Sequence, residues 1–329
     1  MAEKISVITG ASGHIGYALL LKLLEQGENV RILIRRNEPR FDYLGCEKVF
    51  GDISDADSLE KAFSGADTVY HLAGIIDINS GDDDLVWKVN FEGVKNVVAA
   101  CETAGVKKLV YASSVDAYTP LPDNAVMREV THFEPDTLEG TYAKTKASAT
   151  NFVFEKCAEG FPAVAVYPGA CIGPYDYKVS NAGEMVRMCM NGFMPASLNF
   201  GAYNFVDVRD VADGMIAAAK KGTPGEGYIL CGEPISTDDF IKTVMEVCGK
   251  KAPKIKMSRG VVNAAAPLME RYYKLAKKTP LFTRYTIRKL TSNCNFSIEK
   301  AKTELGYAPM SVKQSITDMV AWIRENEKQ

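Results

Sequence analysis

The first half of this chain predicts an α/β fold, a doubly wound parallel sheet with helices on both faces. Three observations carry that expectation. Short β-rich runs alternate with helical patterns, the runs are almost continuously apolar, and a glycine-rich turn joins the first run to the first helical pattern. Continuous apolar runs suit parallel strands covered on both faces. Strand–helix alternation then gives a single sheet built by right-handed crossovers.

The first strand is KISVITG, and ALLLKLLEQG after it is the first helical pattern. NVRILIRR, KVFGD, DTVYHLAG and KKLVYASS are the next four strands. DSLEKAFSG and DLVWKVNFEGVKNVVAACETAG are helical patterns between them. In the longer one Val89, Val94, Val97, Val98 and Cys101 recur at helix spacing, and Gly105 is a C-terminal stop. A helix over 141–158 and a strand PAVAVYPGACIG complete the regular part. From about Pro174 the regularity breaks. Segments rich in Gly, Met and aromatics alternate with a helix, VADGMIAAAKKG, and a strand, GYILCG. A basic amphipathic stretch, VVNAAAPLMERYYKLAKK, precedes two helical patterns, SIEKAKTELGY and SVKQSITDMVAWIREN. Residues 1–173 thus form a first domain. Residues 174–329 form mainly a smaller α+β subdomain, with some segments returning to the first.

Composition narrows the function. Among 329 residues, 39 Lys and Arg stand against 41 Asp and Glu, a net charge of −2 that disfavours a nucleic-acid binder. No apolar run approaches the ~18–20 residues that span a bilayer, and the start, MAEKISVITGASG, lacks a secretory h-region. A cytoplasmic protein without membrane or nucleic-acid partners is expected. Eight scattered cysteines, with no C-x-x-C pair, read as reduced thiols. Three separated histidines and the lack of any Cys/His cluster leave no metal site to expect. The basic residues Arg271, Lys274, Lys277 and Lys278 read as a solvated helix face.

The turn Gly10-Ala11-Ser12-Gly13-His14-Ile15-Gly16 lies between the first strand and the first helix. A dinucleotide pyrophosphate needs a tight turn, close backbone approach and a helix N-terminus whose N–H groups face the anion. The spacing is G-x-x-G-x-x-G, and the context of strand before and helix after makes cofactor binding the expectation. Arg35 and Arg36 end the second strand, where an acidic residue would receive the ribose of NAD and an arginine suits the 2′-phosphate of NADP. NADP is therefore preferred to NAD. Asp52, ending the third strand, is placed to meet the adenine edge or to form a turn. Ile53, Leu72, Ala73, Gly74, Tyr167, Pro168 and Gly169, at or just past strand ends, complete the expected cofactor contacts.

Tyr142 and Lys146 stand at i and i+4 on one helix face. A free tyrosine titrates near 10, and a neighbouring cation would stabilise its phenolate. Ser114 offers a hydroxyl to a substrate carbonyl, and Asn90 could support a water relay to the lysine; a buried or capping asparagine is the alternative.

The segments TGASGHIG, GDISD, HLAG, VNFEGVKNV, ASSVDAY, YAKTK, YPGACIGP and FVDVRDVADG occur in the order shown by the extended short-chain dehydrogenase/reductase superfamily, which this chain resembles over nearly its whole length. AKTELGYAP is similar to its usual ending. Within that superfamily the chain looks most like the dihydroflavonol-reductase and 3β-hydroxysteroid-dehydrogenase branch. The resemblance implies a Rossmann-like sheet, a substrate-binding subdomain, hydride transfer to or from a nicotinamide, and helices that commonly build a homodimer. It also implies Tyr142 as acid/base, Lys146 as its partner, Ser114 as carbonyl hydrogen-bond donor and Asn90 as relay.

Three features set the expected chemistry. Val115 follows Ser114 and only then Asp116, so the carboxylate that dehydratases carry directly after the hydroxyl residue is missing. Tyr203-Asn204 stands where nucleotide-sugar enzymes often carry Arg-Asp, and offers little to a diphosphate. Met185, Met188, Met190, Phe193, Met194 and Phe200 crowd the expected substrate region, either as an adaptable apolar wall or as subdomain core. The reading is an NAD(P)H-dependent oxidoreductase acting on a ketone, aldehyde or secondary alcohol of a bulky, largely apolar, steroid- or flavonoid-like substrate. Asp116, Ala170, Met185, Met188 and Phe193 are its expected substrate contacts. Two other readings stay open: a nucleotide-sugar epimerase with tightly bound NAD, and a non-catalytic NADP-binding regulator.

Overall fold

Neighbouring residues of the central strands part to opposite sides. Val7, Val69 and Leu109 enter one apolar cluster; their neighbours Ile8, Tyr70 and Val110 enter another. Such two-sided burial is why these runs read as continuously apolar. The computed structural model of the chain describes residues 4–76, 83–122, 125–264 and 284–326. Its strands are β1 (Ile5–Thr9), β2 (Asn29–Ile34), β3 (Glu47–Phe50), β4 (Thr68–His71), β5 (Lys108–Ala112) and β6 (Ala163–Pro168). They continue with β7 (Ala170–Ile172), β8 (Ala196–Leu198), β9 (Ala202–Asp207), β10 (Gly227–Leu230), β11 (Glu233–Ser236) and β12 (Ile255–Met257). The helices include α1 (His14–Glu25), α2 (Ala56–Phe63), α3 (Asp83–Trp87), α4 (Gly93–Ala104) and α5 (Thr141–Ala158). Beyond them come α6 (Asn181–Asn191), α7 (Val208–Lys221), α8 (Thr237–Val247), α9 (Arg284–Leu290) and α10 (Val312–Asn326).

Seven strands form one sheet in the order β10-β6-β5-β4-β1-β2-β3, with every neighbouring pair parallel. The order reverses at β1, so the crevice beyond the C-terminal ends of β1 and β4 is the switch point where doubly wound sheets bind ligands. β10 comes from the second half of the chain, as do the residues of α7 that pack on α1. The doubly wound sheet expected from the alternation is the one observed.

The single strand expected at PAVAVYPGACIG is two. β6 belongs to the large sheet, and β7 joins β9 and β11 in a three-stranded sheet. The break falls at Gly169, where a Cβ would stand 2.7 Å from the Asn204 backbone carbonyl. The long helical pattern after β4 is also interrupted. Lys88–Glu92 form a π-turn between α3 and α4. A second π-turn, Ala301–Leu305, lies in the SIEKAKTELGY segment. The basic cluster at Arg271, Lys274, Lys277 and Lys278 lies outside the described residues. A third apolar cluster joins Ile172 and Phe205 to α6, α8 and α10 through Val186, Phe240, Val244 and Ile316.

On α7, buried Asp210 accepts a 2.8 Å hydrogen bond from the Met310 N–H. Burial, with Asp207 and Asp213 nearby, raises its carboxyl from 3.8 to about 6, against the pull of Met310 and Arg209. A raised carboxyl favours the protonated folded state. The penalty is absent below about pH 4, grows as pH rises, and is complete above about pH 6. At ~1.4 kcal/mol per pH unit it reaches about 3 kcal/mol. Asp210→Asn keeps an acceptor for Met310. It should match the wild type near pH 4 and exceed its unfolding free energy by up to ~3 kcal/mol at pH 7.5. Parallel stability–pH curves for the two proteins would remove this assignment.

Candidate active site

A cleft of about 400 Å³ opens along the switch point, and Gly10, Gly13, Gly16, Ser114, Tyr142 and Lys146 all line it. Its dinucleotide end is built by the first turn. Gly10 has φ +80°, and a Cβ there would stand 2.6 Å from the Ala73 nitrogen. At Gly16 a Cβ would stand 2.2 Å from the Gly10 carbonyl oxygen. Only glycine permits both approaches. No side chain caps α1, and its first turn holds no carboxylate. Its N-terminal N–H groups therefore suit an anion, so the turn fits a dinucleotide pyrophosphate. His14 and Ile15 line the same end. His14 Nε2 bonds the Pro174 carbonyl at 2.8 Å, and burial lowers its pKa.

Around Ser12 the charge is positive. Arg40 donates to the Ser12 carbonyl at 2.9 Å, and the Lys178 ammonium to its hydroxyl at 3.1 Å. Burial lowers the Lys178 pKa, and the charges of Arg40, Arg35 and Arg36 press it the same way against Glu38. Arg35 and Arg36 are exposed just beyond β2. Asp52 closes a turn, accepting from the Ser54 N–H at 2.9 Å and hydroxyl at 2.8 Å. Ile53 beside it is buried. After β4, Leu72 and Gly74 line the cleft, and the Ala73 N–H points to the Thr9 hydroxyl at 3.4 Å.

The other end gathers α5, the end of β5 and the π-turn. Ser114 Oγ accepts from the Asp116 N–H at 3.1 Å, which leaves its own proton for a cleft ligand or for Tyr142. Tyr142 is 8% exposed. Burial, then the Asp116 carboxylate, raise its phenol above 10, while the Ser114 hydroxyl pulls it down. The lowering expected from Lys146 is not what this site shows. Lys146 Nζ donates instead to the Ala112 carbonyl at 2.7 Å, and burial lowers it to about 8. Asn90, fully buried on the π-turn, pairs both ways with Ile75 at 2.8 and 2.9 Å and donates to Thr145 at 3.2 Å. It has no direct bond to the lysine. A Cβ on Gly74 would lie 3.1 Å from Asn90 Oδ1 and 3.6 Å from Lys146 Nζ, so both side chains pack closely against this glycine.

Other expected contacts divide. Pro168, Gly169, Ala170 and Asp116 line the cleft, and Asp116 pairs with Lys289 at 2.8 Å. Tyr167 does not: strand alternation turns its ring into the core, 5.2 Å from Tyr118 and 5.5 Å from Phe133 between centroids. Met185 and Met188 do not line it either. They pack on the third apolar cluster, as subdomain core. Phe193, just past α6, is 71% exposed and outside the cleft. The apolar wall is made by residues the sequence did not single out for it: Val115, Tyr118, Met127, Tyr203, Cys294 and Phe296. Met127 and Phe296 meet in an isolated parallel bridge between distant segments. Asn204 also lines the cleft; in the sequence it signalled only the absence of an Arg-Asp pair.

A glycine-turned anion site at a switch point, joined to a Ser–Tyr–Lys group, defines a dinucleotide-dependent α/β oxidoreductase. The chain belongs to the NAD-dependent epimerase/dehydratase family, whose sequence pattern matches residues 6–231. It is an NAD(P)-dependent oxidoreductase of the extended short-chain dehydrogenase/reductase kind, as its motifs resembled. It is 32% identical over 328 residues to "Sterol demethylase protein B" of Methylococcus capsulatus, covering 97% of this chain and 98% of that protein. To the "3-beta-hydroxysteroid dehydrogenase" of Mycolicibacterium neoaurum it is 31% identical over 319 residues, covering 92% and 87%. The crystal structure of gox2253 is similar with a TM-score of 0.86 and 33% identity, covering 99% of this chain and 100% of that one. Among the described residues no helix is long and apolar enough to cross a membrane, and no group of three or more His, Cys, Asp or Glu could hold a metal.

Proposed function

We propose that the protein reduces a ketone or aldehyde on a bulky, largely apolar, steroid- or flavonoid-like substrate, or oxidises the matching alcohol, with NADP preferred. One observation carries this reading: the Ser114 and Tyr142 hydroxyls share their cleft with an apolar wall of Val115, Tyr118, Met127 and Phe296. The sterol- and steroid-related names of the two relatives support the same substrate class. Tyr203 and Asn204 line the cleft without offering a cation to a sugar diphosphate, and the Lys289 that lines it beside them is paired with Asp116 at 2.8 Å, which disfavours the epimerase.

When bound, the nicotinamide cofactor supplies or accepts the hydride. The first turn and the N-terminus of α1 would hold its pyrophosphate, and Arg35 and Arg36, with Arg40 and Lys178 beside them, a 2′-phosphate. Ser114 and Tyr142 hold the carbonyl oxygen. Tyr142, whose raised pKa keeps it protonated at neutral pH, gives its proton to the forming alkoxide. Lys146 and Asn90, packed together against Gly74, guide its replacement from solvent.

The test is cofactor oxidation against a panel of bulky ketones, steroids, flavanonols and aldehydes, with NADPH and NADH in parallel. NADPH should be preferred, and Arg35→Ala/Arg36→Ala should cut kcat/KM for NADPH by ~10-fold or more while sparing NADH, the scale of a lost hydrogen bond to a charged group. Equal use of both cofactors removes the NADP preference. No net oxidation across the panel removes the reductase.

A further inference from the structure

The chain's net charge of −2 conceals a local excess of the opposite sign. Residues 247–264 carry Lys250, Lys251, Lys254, Lys256 and Arg259 and no acidic residue; residues 185–206 carry Arg187 and no acidic residue either. The fold brings the two segments side by side. β12 pairs with β8 in parallel, Ile255 opposite Ala196, and a Cβ on Gly192 would lie 3.6 Å from Lys250 Nζ. All five basic residues of the first segment are exposed. Among the described residues only Lys256 of the five pairs with a carboxylate, that of Asp238 at 2.7 Å. Lys250 donates to the Met190 carbonyl, which leaves its charge uncompensated.

Large apolar side chains stand out of the same segments. Phe193 is 71% exposed, Ile255 64% and Val261 55%. Phe193 leads into β8, Ile255 lies on β12 between Lys254 and Lys256, and Val261 follows two residues after Arg259. One such side chain is ordinary on a protein surface. Several set among uncompensated cations are the composition of a surface that meets a charged, apolar phase. The surface also has a place beside the reaction. Met257 and Val262 pack with Leu198, Tyr203 and, from α9, Ile287 and Leu290 in a fourth apolar cluster. Tyr203 lines the cleft, and so does Lys289 beside Leu290. The cluster that backs this surface therefore also borders the apolar end of the cleft.

We propose that this surface, built on β8, β12 and the turn after β12, docks on an anionic lipid bilayer, from which the cleft draws its apolar substrate. The purpose given to the docking rests on the apolar-carbonyl reading; the docking itself does not. Lysine and arginine meet the lipid phosphates while Phe193, Ile255 and Val261 enter the headgroup layer. Each basic residue near an anionic bilayer multiplies affinity about fivefold, so the cations left without a carboxylate give reversible binding that salt weakens. Such a contact lies on the membrane surface and needs no spanning helix. It revises the expectation of no membrane partner, which rested on a summed charge and on the lack of a spanning run. A nucleic acid would engage the cations but leave the three apolar side chains in water.

The purified chain, without substrate or cofactor, is mixed with vesicles of phosphatidylcholine alone or of phosphatidylcholine with phosphatidylglycerol. Binding is read by flotation at low and high salt. The anionic vesicles should be bound ~10-fold or more tightly than the neutral ones, and binding should fall as salt rises. Lys251→Glu/Lys254→Glu should cut it by ~10-fold or more, and Lys251→Arg/Lys254→Arg should keep it. Ile255→Ser/Val261→Ser should weaken binding while leaving its salt dependence. These positions lie outside the cleft, so each variant, checked for folding by circular dichroism, should reduce a ketone dispersed without lipid as the wild type does. No binding, equal binding to both vesicles, or binding that survives the charge reversal or the serine pair overturns the assignment. A DNA duplex that binds where the vesicles do not overturns it as well. Failure of the reductase reading shows differently: vesicle binding persists, with no turnover of any ketone. Turnover of dispersed ketones without vesicle binding removes the docking surface and spares the reductase.

Discussion

Tyr142→Phe should lower turnover by ~100-fold or more while leaving the fold intact, because under the proposed mechanism it removes a proton donor and little else. The ring is buried on α5, and phenylalanine fills the same volume. Ser114 stays fixed by the Asp116 N–H at 3.1 Å, so one contact to the carbonyl oxygen persists. Substrate affinity therefore falls less than kcat. A loss in both kcat and kcat/KM with KM little changed is the signature of an interaction made in the transition state. The raised phenol sharpens the expectation. Burial and the Asp116 carboxylate keep Tyr142 protonated well past neutrality, the form reduction needs and alcohol oxidation does not. The wild type should accordingly show no loss of ketone reduction from tyrosine ionisation between pH 6 and about 10. Steady-state kinetics of the purified variant decide the matter: activity within tenfold of wild type would mean that another group supplies the proton.

The parts of this site that could be read from the sequence are those written in short-range spacing. The glycine turn needs particular residues because the backbone of Gly10 meets Ala73 and that of Gly16 meets Gly10, and the tyrosine and lysine fall one helical turn apart. The large sheet was legible because its strands are buried on both faces. Tyr167 was within reach of the same logic: Ala165 and Tyr167 share one face of β6, opposite Val164 and Val166, so its ring had to leave the cleft for the core. The methionines of α6 were not decidable, since an apolar residue at helical spacing suits a core or a ligand wall equally well. The apolar wall itself lay beyond reach, because Met127 and Phe296 are brought together only by the tertiary fold. The π-turn left no local signal either. Its inserted residue belongs to a pattern that reads as ordinary helix, yet it carries Asn90, as π-turns at functional sites often do.

Lys146→Met should separate activity from stability in opposite directions. The ammonium is 5% exposed and burial lowers it to about 8, with no carboxylate offsetting the cost. Among the described residues its one hydrogen bond is to the Ala112 carbonyl at 2.7 Å, and its charge sits 5.1 Å from the centre of the Tyr111 ring. A lysine lowered in the folded state makes that state less stable wherever it is charged. The penalty is full below about pH 8 and is relieved as pH rises from 8 towards 10.5, where only the unfolded chain stays protonated. At ~1.4 kcal/mol per pH unit it amounts to roughly 3 kcal/mol. Methionine removes it but strands the Ala112 carbonyl, which costs about 1–3 kcal/mol. At pH 7 the variant should thus be as stable as the wild type or up to ~2 kcal/mol more so, with the difference shrinking and reversing towards pH 10. Turnover should fall by ~100-fold or more if, as proposed, this charge guides the tyrosine's proton. Denaturant unfolding at pH 7 and pH 9.5, beside kinetics at pH 7, gives both readings. A variant that loses more than ~1 kcal/mol at pH 7 would show that the lysine is held as a structural cation. A gain in stability with activity lost is the pattern of a group kept at the fold's expense for its chemistry.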